Sequence, residues 1–195
     1  MNEFHTIAVY GASSPIIPQV YKDAAKELGT LLAENHVRLI NGAGKEGVMG
    51  ACSNACLASG GKVIGIIPRF MVENGWCHTG LTELIVTEDM HHRKQKMIEM
   101  SDAAIALPGG CGTLEELSEL ITWKQLGLCN KPLIILNTNG FYDDLLRFFE
   151  KAVEESFMRK EHLNLWEMAT TPQEAFQRVF TAPVWNSSIR KFKKI

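Results

Sequence analysis

Short apolar runs rich in valine and isoleucine alternate along the chain with longer segments whose apolar positions recur at helical spacing. The runs predict strands at 6–12 (TIAVYGA), 37–43 (VRLINGA), 62–68 (KVIGIIP), 82–87 (TELIVT), 103–109 (AAIALPG) and 132–137 (PLIILN), with a weaker one at 165–170 (LWEMAT). Several are apolar at consecutive positions, the pattern of strands covered on both faces. Helical periodicity fills the intervals 18–34, 47–59, 90–101, 113–128, 141–156 and 172–180. The last opens TTPQEAF, with a threonine able to cap and Pro172 in the first turn. Strict alternation of strand and helix predicts a Rossmann-like, doubly wound parallel α/β sheet of about seven strands with helices on both faces. No repeat or linker interrupts it, so a single domain is expected over 1–182, followed by a basic tail at 183–195. Residues 69–81 (RFMVENGWCHTGL) are the longest irregular stretch and are placed to cover a site.

Composition narrows the class. With 195 residues, 46% hydrophobic and 22% charged, the chain suits one soluble globular domain. A net charge of -2 points to neither nucleic acid nor membrane. No apolar run is long enough to cross a bilayer, and the first residues lack the pattern of a secretory signal. The five cysteines form no CxxC pair, and Cys52 and Cys56 share a helix face as small hydrophobes, so a reduced, cytoplasmic protein is expected. No spacing of His, Cys and carboxylates suggests a metal, no HExxH or GxSxG occurs, and no cofactor is expected.

Ligands of open parallel sheets bind outside the carboxyl ends of the strands. Three predicted strands end there in small-residue turns: GASS (11–14), GAGKEG (42–47) and PGGCGT (108–113). Backbone amides and helix N-termini at such turns favour an anion, a phosphate above all. GAGKEG matches the dinucleotide pattern GxGxxG, but no acid stands at the end of the following strand to hold a ribose. Arg69 leaves an opening there only for a 2′-phosphate. In PGGCGTLEE, Thr113 and Glu116 fit a capping box, which would make both residues structural. That account leaves Gly109, Gly110 and Gly112 unexplained, and Glu116 in the first helical turn can equally face a ligand held by those amides. A second feature is Arg93 within the stripe Met90, Arg93, Met97, Met100, where a guanidinium requires an anionic partner or a path to solvent.

MHHRK (90–94) followed by PGGCGTLEE (108–116) resembles the MHxRK…PGGxGTxxE signature of the LOG (Lonely Guy) family, and the likeness extends over nearly the whole chain. Members were long described as possible lysine decarboxylases and are cytokinin-activating phosphoribohydrolases. The resemblance implies hydrolysis of the N-glycosidic bond of adenosine-type nucleoside 5′-monophosphates, AMP or N6-substituted ribotides, to free base and ribose 5-phosphate. It implies Arg93 and Glu116 as the catalytic pair, with Glu73 as a third candidate. Gly109, Gly110, Gly112 and Thr113 would hold the phosphate, and Ser13, Gly42, Gly44, Met90, Lys94 and Pro108 would complete the substrate site. It also implies a homodimer. Ala43 stands in the middle of what is usually a GGG run, Lys45 replaces a small residue, and Cys111 occupies a position often aromatic. A non-catalytic nucleotide or cofactor carrier would use the same phosphate cradle, and a pyridoxal-dependent decarboxylase would need a Schiff-base lysine that the sequence does not set apart.

Overall fold

The computed structural model describes residues 5–186. Seven strands form one all-parallel sheet: β1 (Thr6–Tyr10), β2 (Arg38–Asn41), β3 (Val63–Pro68), β4 (Glu83–Thr87), β5 (Ala103–Ala106), β6 (Leu133–Leu136) and β7 (Glu167–Ala169), in the spatial order β4-β3-β2-β1-β5-β6-β7. The helices are α1 (Gln19–Glu34), α2 (Gly47–Ala58), α3 (Arg69–Glu73), α4 (Met90–Glu99), α5 (Cys111–Leu126), α6 (Asp143–Glu154) and α7 (Pro172–Thr181). The chain builds outward from β1 to β4, then returns to lay β5 on the other side of β1. That reversal opens a crevice at the carboxyl ends of the central strands.

Alternation along the strands divides the core in two. Ile7, Val9, Leu39 and Ile105 face α1, α2 and α7, where Leu28, Leu32, Cys52 and Phe176 meet them. Ala8, Tyr10, Ile40 and Ile135 point the other way, onto Met97, Leu117, Leu120 and Phe149 of α4, α5 and α6. Period two within a strand thus feeds both layers, which is why the runs read as continuously apolar. Truncating one of these side chains, Leu39 for example, costs about 2–5 kcal/mol through lost burial and the cavity left behind.

The expected strands are all present, and those that run into glycine turns are shorter at their carboxyl ends because the turn leaves the ladder early: β1 stops at Tyr10, β2 at Asn41 and β5 at Ala106, whereas β3 and β4 end at Pro68 and Thr87 as expected. The stretch 69–81, expected to be irregular, opens with the short helix α3. In α7 the hydroxyl of Thr171 accepts from the Glu174 amide at 3.2 Å and Pro172 is the first helical residue, as the sequence predicts. Trp185, beyond the expected domain boundary at 182, is buried against the α5–α6 layer. The basic residues 187–195 of the expected tail lie outside the described residues. Of the methionine stripe on α4, Met97 is core and only Met100 emerges at the surface, 37% exposed.

Candidate active site

Helix α5 supplies the first component. Its N-cap is Gly110 in extended conformation, no side chain caps the end, and the first intrahelical bond runs from the Leu114 amide to the Gly110 carbonyl at 3.0 Å. The amides of Cys111, Gly112 and Thr113 therefore have no helical acceptor, and the end of this 16-residue helix carries its dipole uncompensated. Thr113 is the third helical residue and not the cap, so the capping-box account fails here. Its buried side chain fills the space over Gly109, where a methyl group would come 2.1 Å from Oγ1.

The second component is a buried ion pair. The Asp89 carboxylate caps α4 by accepting from the His92 amide at 2.9 Å, which starts the helix at Met90 and places Arg93 one turn in. Arg93 Nε donates to the carbonyl of Ile66, two residues before the end of β3, at 3.1 Å, Nη1 reaches Met90 Sδ at 3.6 Å, and Nη2 lies 3.1 Å from Glu116 Oε1. Both side chains are almost fully buried. The guanidinium rests on Gly42, where a Cβ would stand 1.7 Å from Nη2. Burial pushes the Glu116 carboxyl up from an ordinary 4.5 to about 7, against the lowering effect of Arg93. The pair is thus a carboxylate poised near neutrality in an environment that has displaced water.

These parts border a cavity of about 660 Å³, walled by the turns after β1 and β2, by α3 and its following loop, and by the first turns of α4 and α5. Ser13, Gly42, Gly44, Met90, Arg93, Gly110, Gly112, Thr113 and Glu116 come together in its wall. The other expected residues stand elsewhere. Gly109 lies behind Thr113, and the Pro108 carbonyl accepts from the Ala12 amide at 3.2 Å, tying two strand-end turns together. Lys94 turns onto α5, with Nζ 2.9 Å from Glu115 and 3.3 Å from Glu119. Glu73 ends α3 as an exposed residue outside the cavity wall, and Arg69 is likewise outside it.

Sequence reasoning missed the apolar wall: Met49, Ile67, Met71 and Trp76. The one signal was the stretch 69–81, marked as a cover, in which Glu73 and Arg69 were singled out but Met71 and Trp76 were not. That cover is stitched to the turn after β2. Gly44 and Cys77 form an antiparallel bridge, the His78 amide donates to Ala43 O at 2.8 Å, the Lys45 amide to Trp76 O at 3.3 Å, and Lys45 Nζ to Gly75 O at 2.8 Å. Met49 Sδ accepts from the Gly44 amide at 2.9 Å and holds the same turn from the other side. Among the described residues no group of His, Cys, Asp or Glu could hold a metal ion, and no helix is long and apolar enough to cross a membrane.

Fold and site together are those of a Rossmann-like α/β protein with its ligand cavity at the strand ends. A profile of the family described as "Possible lysine decarboxylase" matches residues 49–179. The chain is 42% identical over 178 residues, 91% of its length and 84% of the relative's, to the Arabidopsis thaliana protein named "Cytokinin riboside 5'-monophosphate phosphoribohydrolase LOG1". It is 44% identical over 154 residues, 78% of either chain, to the cytokinin riboside 5'-monophosphate phosphoribohydrolase of Rhodococcoides fascians. The chain belongs to this family, the LOG family that its motifs resemble. Among solved structures it is similar to the molybdenum cofactor binding protein of Rippkaea orientalis, with a TM-score of 0.71 at 23% identity, covering 93% of this chain and 98% of that one. The Moco carrier protein of Chlamydomonas reinhardtii gives 0.71 at 22%, covering 92% and 98%. At these identities the likeness concerns the fold.

Proposed function

We propose that this chain hydrolyses the N-glycosidic bond of AMP and of N6-substituted adenosine 5′-monophosphates, releasing the free base and ribose 5-phosphate. The observation that carries the reading is the Arg93–Glu116 pair, buried at 3.1 Å in a cavity whose adjoining wall is the uncapped N-terminus of α5. With the phosphate on the α5 amides, the ribose lies against Glu116. As the bond from C1′ to the base nitrogen stretches, positive charge grows on the sugar and the carboxylate stabilises it. Water adds its oxygen to C1′, the bonding pair leaves with the base, and the base nitrogen takes up a proton. Binding the phosphate, which does not react, holds C1′ at the carboxylate. Arg93, fixed by Ile66 and Met90, keeps Glu116 in place and opposes its protonation.

The lysines do not fit the decarboxylase in the family's description. Lys94 is taken up by two glutamates, buried Lys124 donates to the Lys131 carbonyl, and Lys45, which does line the cavity, bonds Gly75 O. The test is a panel of nucleoside 5′-monophosphates and their nucleosides scored for free base by chromatography. Charge-assisted bonds to phosphate are worth about 1.5–3 kcal/mol each, so adenosine is expected to turn over at least about a hundredfold less efficiently than AMP. Glu116→Gln should remain folded and release no base. Saturable AMP binding by the parent without base release would instead favour a carrier. We also propose a homodimer, on the family resemblance and on Leu84 and Val86, which are half-exposed on the edge strand β4. A monomer by light scattering at micromolar concentration would contradict it.

A further inference from the structure

We propose that Trp76 is the platform on which the purine base stacks, and so the residue that sets base preference; this rests on the cavity taking a nucleoside 5′-monophosphate. The cavity runs across the strand ends in the order β3, β2, β1, β5. Three strand spacings separate the loop after β3 from the helix after β5, roughly 14 Å, the scale of an extended nucleotide. The α5 end is the anion pole. Arg93 bridges the middle, from the Ile66 carbonyl across Gly42 to Glu116, so the reacting ribose belongs there. The base is left with the opposite pole, whose apolar side chains are Met49, Ile67, Met71, Met90 and Trp76, with Lys45 and Glu46 also in the wall.

Trp76 is unlike the other four. It is the aromatic residue of the wall, it is 51% exposed, and no other ring among the described residues packs on it. Leaving an indole half in water forgoes burial that its size would reward. Its backbone is nonetheless held at both ends. Its amide donates to Met71 O at 3.2 Å, and its carbonyl accepts from the Lys45 amide at 3.3 Å, beside the Gly44–Cys77 bridge. A flat apolar face on a fixed backbone, at the end of the cavity remote from the anion pole, suits a base. Stacking rewards the larger ring, so purines should be preferred to pyrimidines, and apolar N6 substituents gain contact with the thioethers of the cavity wall.

The experiment combines tryptophan fluorescence with kinetics on the full chain, Trp76→Phe and Trp76→Ala. AMP should quench the parent's fluorescence, and the quench should vanish in Trp76→Phe while KM stays within about threefold. Trp76→Ala should raise KM for AMP about tenfold or more and narrow the preference for purines. Inhibition by ribose 5-phosphate, which has no base, should not change. A quench retained in Trp76→Phe, or an unaltered KM in Trp76→Ala, would overturn the platform while base release by the parent left the hydrolase reading standing. A parent that neither releases base nor shows a saturable quench would overturn both. A smaller assembly on gel filtration of Trp76→Ala, with KM unaltered, would assign the indole to a contact between copies instead.

Discussion

A methyl group on Gly42, in the turn after β2, would lie 1.7 Å from Nη2 of Arg93, whereas one on Gly110 or Gly112, after β5, would meet no atom within 4 Å. The two turns read alike as glycine-rich segments between a strand and a helix. Their glycines answer different demands. Gly42 makes room for the protein's own guanidinium, and Gly44 does the same for Met49 and Ser13. Gly110 and Gly112 leave open the space in front of free amides, which the fold itself does not need. A glycine that protects packing shows its reason in the structure, while one that protects ligand access shows only a space.

Breaking the first turn should have the largest effect. Gly42→Ala must displace the Arg93 side chain, with loss of its bonds to Ile66 and Glu116, and base release is expected to fall at least about a hundredfold. Steady-state kinetics on AMP would check this, and parent-like kcat/KM would show that Arg93 has another workable position. Gly112→Ala should act differently. Alanine in the first turn of α5 favours the helix by up to about 1 kcal/mol, so Tm should hold or rise. The methyl group obstructs the anion pole, so KM for AMP and the inhibition constant of ribose 5-phosphate should both rise about tenfold. A lowered Tm, or both constants unmoved, would remove the distinction between the turns.

Acidity sharpens the contrast further. Catalysis needs the Glu116 carboxylate, so activity should climb with pH through about 7. Gly42→Ala displaces the charge that holds this value down, and its activity limb should move to higher pH, while that of Gly112→Ala stays in place. Stability should run the other way. Between 4.5 and about 7 the folded chain holds a proton that the unfolded chain has released, so this group's contribution to stability falls as pH rises across that window. Relative to Glu116→Gln, the parent should therefore gain Tm as pH is lowered from 8 to 5. A pH-independent gap would contradict the raised acidity constant.

The smallest effect is expected at Ala43, between the glycines of the first turn. It adopts a left-handed φ of 58°, which costs a non-glycine residue about 1–2 kcal/mol. Its methyl is fully buried with Ile67 and Cys77, worth about 0.8 kcal/mol. Glycine would relieve the strain but lose the methyl and add freedom to the unfolded chain. Ala43→Gly should therefore shift Tm by only a few degrees in calorimetry and leave kcat/KM within about threefold.

Much of this was legible beforehand. Continuous apolar runs announced strands buried on both faces, and the alternation with helices announced the parallel sheet. The small-residue turns announced where a ligand would sit, and Glu116 stood beside one of them. The sequence was less informative about direction. Arg93 and Lys94 are adjacent, yet one crosses to the cavity and the other to Glu115 and Glu119, because consecutive helical residues point about 100° apart and only the placement of α5 decides what each meets. Glu73 was an acid in a stretch marked as a cover, but it ends α3 exposed, while Met71 of the same short helix is the residue that joins the cavity wall.

By itself, then, the sequence determined the local terms: the periods of its apolar residues, the places where the backbone needed glycine, and the chemistry available at the strand ends. These follow from interactions between near neighbours, which a linear pattern records. Tertiary structure alone decided that Gly42 lies beneath a guanidinium from residue 93, that Glu116 is dry enough to titrate near 7, and that Trp76 stands in the cavity wall. The first two depend on residues brought together by the crossing from β4 back to β5, and the third on the stitching of 69–81 to the turn after β2, across separations at which no spacing rule operates. Desolvation and close approach belong to the assembled sheet, not to any segment of it.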